Sequence, residues 1–229
     1  AVRTLGLEVL PWTPGLRQWQ ARVASLRAWV PSLGLPDVTD TALLAGLDDW
    51  LRPAFAGKTR LDALSEAELG EALRARLDWN QRQQLDRLAP SRIEEPSSAA
   101  SDVYKRQNQR QQLDRLAPSR IEVPSGMQRA VAYALDHEGM PQPPVLAVKL
   151  QELFGLADTP RIADGRVPLL LHLLSPGGKP LQVTADLRSF WDRTYPEVRK
   201  EMKGRYPRHP WPDDPWNATA THRAKPRGT

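Results

Sequence analysis

The chain has no cysteine among its 229 residues, which excludes disulfides, thiolate metal sites and a cysteine nucleophile at one stroke. It has only four histidines, and none is set with carboxylates at metal-ligand spacing on one helix face. No apolar run approaches the roughly 20 residues that a membrane span needs, and no basic segment leading into an apolar one opens the chain. A cytoplasmic protein without a membrane partner is therefore expected. The one fragment of a phosphate loop, Gly57-Lys58-Thr59, has Arg52 where a second glycine belongs and follows a helical pattern, so it reads as the end of a helix. With no carboxylate motif for nucleotide hydrolysis either, no catalytic residue, cofactor site or metal site is assigned within these residues.

What is present suffices for a core: 40% of the residues are hydrophobic, eight are Trp, and the length suits one or two domains. Thr13-Pro14 offers an N-cap and a first-turn proline, and Leu16, Trp19, Val23, Leu26 and Val30 then recur at spacings of three and four. This predicts a helix with Arg17, Arg22 and Arg27 off its apolar stripe, stopped by Pro31 and Gly34. Thr39-Asp40 can cap a second helix with Leu43, Leu47 and Trp50 inward, and Ser65-Glu66-Ala67-Glu68 is a capping box that opens a third through Leu69, Leu73 and Leu77. A last helix would hold Leu85 and Leu88.

The second half changes period. Ile121 to Val123 reads as a short strand, Met127 to Ala134 fits either state, and Val145 to Phe154 is apolar at helical spacing up to Gly155. Val167 to Leu174 and Leu181 to Thr184 read as a hairpin around the turn-rich Ser175 to Pro180, after which Asp186 caps a helix carrying Leu187, Phe190, Trp191 and Val198. The expected fold is α+β: a helical N-terminal half, then a small mixed α/β unit with a short antiparallel sheet and a Pro-rich extended C-terminal tail.

One stretch does not read as structure. Asn80 to Glu94, NQRQQLDRLAPSRIE, recurs without a change as Asn108 to Glu122, whereas structural repeats drift and keep only their apolar face. The spacer Ser101-Asp102-Val103-Tyr104-Lys105-Arg106-Gln107 looks like the in-frame translation of a transposase adapter used in sequencing libraries, and the second copy begins directly after it. Residues 95–122 are accordingly set aside as an adapter-borne duplication. The expected organisation is a helical accessory region (1–94), this insertion (95–122), a small α+β domain (123–203) and a basic Pro-rich tail (204–229).

The net charge of +5 resides at the end of the chain: Arg193 to Thr229 holds nine Lys or Arg against four Asp or Glu, and the remainder balances to zero. Within it, Gly204-Arg205-Tyr206-Pro207-Arg208-His209-Pro210-Trp211-Pro212-Asp213-Asp214-Pro215 carries too many prolines for a helix or a central strand and must be extended along something. Cations interleaved with Tyr206, Trp211 and Trp216 suit phosphate contacts with base stacking, but the same aromatics would also anchor a strap on its own domain. His209 could donate to a phosphate or to a partner carboxylate.

Together with Trp191-Asp192-Arg193-Thr194-Tyr195-Pro196-Glu197-Val198-Arg199-Lys200, that segment resembles the C-terminal signature of the bacterial HrpB-type ATP-dependent helicases of the DEAH/RHA class. Val145 to Gly155, Gly165 to Pro176, Val183 to Leu187 and Leu10-Pro11-Trp12 extend the resemblance over nearly the whole chain. It implies a fragment, consistent with a start at Ala1-Val2-Arg3: two RecA-like motor domains, which would use ATP and Mg, then winged-helix, helical-bundle and OB-like modules, all precede this region in the family. On that footing the chain is expected to be a non-catalytic accessory region whose partners are single-stranded nucleic acid, RNA foremost, and the motor domains of the same polypeptide. Arg199, Lys200, Lys203, Arg205, Arg208 and Trp211 are the expected nucleic-acid contacts. The alternative is a protein–protein interaction module in which an apolar pocket around Trp191 and the Pro-rich strap dock a partner protein.

Overall fold

A computed structural model describes residues 2–88 and 113–224, with the side chains of 2–77 and 113–224. The chain forms two compact units, Ala1–Ala117 with Tyr133–Gln142, and Pro118–Ala132 with Pro143–Thr229.

The first unit is helical: α1 (Val2–Leu5), α2 (Pro14–Trp29), α3 (Asp40–Ala45), α4 (Leu47–Trp50) and α5 (Glu66–Leu88), joined by short 3-10 turns. The starts of α2, α3 and α5 lie where the sequence puts them; α1 and the break between α3 and α4 at Gly46 were not foreseen. Thr13 Oγ1 accepts from Leu16 N at 3.3 Å, Thr39 Oγ1 from Ala42 N at 3.4 Å, and the capping box closes both ways, Ser65 N donating to Glu68 Oε2 at 2.9 Å and Glu68 N to Ser65 Oγ at 3.3 Å. Lys58 of the Gly-Lys-Thr triplet pairs with Glu68 at this helix start. Leu16, Leu43, Leu47, Trp50, Leu69 and Leu73 anchor the core. Arg22 departs from expectation: it is buried, donating from Nε to Ala117 O at 2.8 Å and pairing with Asp114 at 2.7 Å. A guanidinium can sit there only because a carbonyl and a carboxylate satisfy it.

The second unit is built on a five-stranded sheet in the order β1-β2-β3-β6-β7, with β1 Arg120–Glu122, β2 Gln128–Ala132, β3 Val145–Lys149, β6 Leu170–Leu174 and β7 Pro180–Thr184. A separate two-stranded ladder joins β4 (Arg161–Ile162) to β5 (Val167–Pro168). The α+β class stands, but the sheet is mixed: β3 runs parallel to β6 and every other pairing is antiparallel. Val145 to Phe154 is therefore not a helix. From Val145 to Leu150 the buried residues alternate, Leu146, Val148 and Leu150, and the β-branched valines suit a strand paired on both edges; at Leu150–Glu152 the chain turns into a 3-10 helix. The β6–β7 hairpin lies where expected, with Leu171 and Leu173 fully buried and His172 half-buried on the opposite face.

The stretch set aside as an insertion needs a boundary correction. Residues 113–122 are part of the fold: Leu113, Leu116 and Ala117 are buried in the first unit, and β1 pairs with β2 in the second. The rest of that stretch lies outside the described residues. Because the two copies are identical, excising 80–107 leaves the same polypeptide as excising 95–122; the seated copy is the second. Among the described residues no helix is long and apolar enough to cross a membrane.

Candidate nucleic-acid interface

The basic end of the chain is organised by one helical segment and the strap that follows it. Asp186 Oδ1 accepts from Ser189 N at 2.9 Å and starts α6 (Leu187–Ser189). One π turn (Phe190–Thr194) leads into α7 (Tyr195–Arg205), with Pro196 in its first turn. The turn gathers Phe190, Trp191 and Tyr195 into a buried aromatic cluster with Phe154, ring centres 5.2 to 6.4 Å apart. The indole of Trp191 donates to Leu156 O at 2.8 Å. The pocket expected around Trp191 is thus filled by the protein's own side chains and is not an open docking site.

Residues 206–224 form the strap. Prolines supply carbonyls but no N–H donors, so the domain must do the donating, and it does. Tyr195 Oη donates to Pro212 O at 2.9 Å, Gly155 N to Pro215 O at 2.9 Å, and Arg199 Nε to Trp211 O at 2.9 Å. Thr221 N donates to Gln151 O at 3.1 Å, and within the strap the Trp211 indole donates to Tyr206 O at 3.0 Å. Close approach is built in: a Cβ on Gly177 would lie 2.7 Å from Tyr206 Oη, and one on Gly155, whose φ is +82°, 3.2 Å from Ala218 O. Burial pushes the Tyr195 hydroxyl well above its usual pKa, so it remains a donor throughout the ordinary pH range.

The six residues expected to meet nucleic acid divide into two kinds. Arg199 and Trp211 hold the strap, Arg199 also pairing with Asp213 at 2.5 Å. Lys200, Lys203, Arg205 and Arg208 are exposed. Arg205 lies 3.9 Å from Glu201, while Lys200, Lys203 and Arg208 have no ion pair among the described residues. Lys200 and Lys203 stand three apart on α7 and so share a face. Arg193, seven residues before Lys200 and also exposed, lies in the π turn that leads into α7. Lys200, Lys203 and Arg205 on α7 and Arg208 in the strap make this end of the chain a cationic surface. Exposed cations of this kind can contact phosphates; among the described residues no group of three or more His, Asp or Glu could hold a metal ion.

The profile of the family described as ATP-dependent helicase C-terminal matches residues 50–108 and 102–215, two segments that overlap at the duplication. Over 224 residues, 98% of the chain, the sequence is 42% identical to the ATP-dependent RNA helicase HrpB of Escherichia coli (strain K12), of which it spans 24%. A crystal structure of the E. coli DExH-box NTPase HrpB superposes with a TM-score of 0.74 at 41% identity, over 97% of this chain and 24% of that one. Another, of the Escherichia coli DEAH/RHA helicase HrpB, gives 0.62 at 39% identity over 92% and 22%. The chain spans about a quarter of the length of these relatives.

Proposed function

The chain belongs to the family of ATP-dependent helicase C-terminal regions, and from that premise we propose that it is a non-catalytic accessory region that holds single-stranded nucleic acid, RNA foremost, for motor domains in the same polypeptide. Those motor domains would bind ATP and Mg; no residue of this chain is assigned to either. The observation that carries the reading is the division among the cations: Arg199 is consumed in holding the strap, whereas Lys200, Lys203 and Arg208 stand exposed beside it without ion pairs among the described residues. A strap that only needed anchoring would not call for three solvated cations, whereas a phosphate backbone would. Arg199 and Trp211 then act by position, keeping Arg208 near the end of α7.

The test is oligonucleotide binding against salt concentration. Each neutralised phosphate on a single strand contributes about 0.7 to the slope of log K against log salt. Lys200→Glu, Lys203→Glu and Arg208→Glu together should weaken oligouridylate binding and flatten that slope by about 2. Unchanged affinity and slope would remove the role.

A further inference from the structure

His209 lies in the strap with a more specific environment than its neighbours. Its Nδ1 is 2.8 Å from Gln151 Oε1, and the Gln151 amide is oriented by its other end, Nε2 donating to Arg223 O at 3.5 Å. An amide oxygen can only accept, so Nδ1 carries the proton of the neutral ring and Nε2 keeps a lone pair. Tyr206 meets the ring edge-on, centres 6.0 Å apart. Lys149, the last residue of β3 and two places before Gln151, and Arg208, next to His209 in the strap, both act on the imidazole through their charge; together with burial, the largest influence, they hold its pKa below the ordinary value. The neighbouring carboxylate, Glu152, is committed to Arg129.

We propose that Lys149, Arg208 and His209 form a phosphate site that takes one backbone phosphate of the strand lying on the cationic face of α7. The proposal rests on the nucleic-acid reading above and adds two residues, Lys149 and His209, to it. The charges of Lys149 and Arg208 act on the neutral imidazole so as to repel a proton and attract an anion. A bound phosphate reverses the balance: the imidazole takes a proton from solvent at Nε2 and donates it in a hydrogen bond to a phosphate oxygen. Gln151 accepts from Nδ1–H in either charge state, so the ring need not turn. Binding is thereby coupled to proton uptake and tightens as the pH falls.

The experiment follows the histidine ring protons of this chain by NMR through a pH titration, alone, with saturating oligouridylate, and with inorganic phosphate at matched ionic strength. His209→Gln identifies the resonance. Expected is an upward shift of the His209 titration with oligouridylate, and an affinity that rises several-fold from pH 8 to pH 6. That rise should vanish in His209→Gln and diminish in Lys149→Gln. If oligouridylate binds but the His209 titration and the pH dependence do not move, the site is wrong and the cationic face of α7 stands without it. If phosphate alone shifts the titration while oligouridylate does not bind, the site serves free anions and both nucleic-acid readings fall; no response to either ligand overturns both as well.

Discussion

Glu152 has no solvent exposure, and Arg129 reaches it with two nitrogens, Nε at 2.7 Å and Nη2 at 2.5 Å. Hydrogen bonding to the carboxylate pushes the Arg129 pKa above its already high value, so the guanidinium stays charged at any ordinary pH. What matters energetically is asymmetry. Replacing both charges by apolar groups can be neutral, but removing one leaves the other buried and uncompensated, which costs about 3–5 kcal/mol. Arg129→Leu is therefore expected to lower stability by about 3–5 kcal/mol in urea unfolding, and Arg129→Leu with Glu152→Leu to recover most of it. An equal loss in the single and double variants would show that the site tolerates neither shape. Arg22, Arg129 and Arg199 are all bound internally, and Lys200, Lys203 and Arg208 are not. Nothing in the sequence separates the two sets, because the partners Asp114, Glu152 and Asp213 are 92, 23 and 14 residues away.

At the scale of elements the strap decides the shape of the cationic surface, and Gly155 is one of the close points of its seat. Its φ of +82° is costly for any residue with a Cβ, its N–H holds Pro215 O, and a Cβ would press on Ala218 O at 3.2 Å. Gly155→Ala should cost about 1–2 kcal/mol from the left-handed backbone alone, and the loss should be local. Limited proteolysis is expected to cut the 215–224 stretch faster while the sheet amides keep their exchange protection; uniform loosening of the sheet, or no change at all, would contradict this. Which elements were legible follows the same line between local and distant. Capping at Thr13, Thr39, Ser65 and Asp186 depends on residues three apart and was readable in each case. β3 was misread because Leu146, Val148 and Leu150 alternate within a run apolar enough to fit both periods, and its partner β6 begins 21 residues after β3 ends. That the tail is an extended strap was dictated by its prolines, but where it lies depends on donors from Tyr195, Gly155 and Arg199, which no spacing reveals. The cations of the candidate surface were found by composition; Lys149 was missed because it is a lone cation at the end of a strand.

For the whole molecule the open question is what two copies of one fifteen-residue sequence do to a fold with one place for it. The second copy holds that place. In the first unit Arg22 binds Ala117 O and Asp114; in the second, Val123 is buried at the start of a tight turn that Gly126 completes with a φ of +77° before β2. The corresponding residues after the first copy are Glu95 and Ser98, a carboxylate where an apolar side chain is buried and a non-glycine where the backbone is left-handed. Only the second copy is compatible with the hairpin. Every partner named here survives removal of Asn80–Gln107, since Trp79 then leads directly into Asn108 and the sequence entering the turn is unchanged. Both Glu66–Leu88 and residues 113–116 are helical, so α5 can run on into that turn in one element. The shortened chain is expected to fold with a thermal midpoint equal to or above that of the full chain, because the chain between the two parts of the fold is 28 residues shorter, which lowers the entropic cost of bringing them together by a few kcal/mol at most. It should also bind oligouridylate with the same salt dependence, all of the candidate contacts lying after residue 145. Loss of cooperative unfolding in the shortened chain would mean instead that both copies carry part of the core, and the duplication would have to be treated as structure.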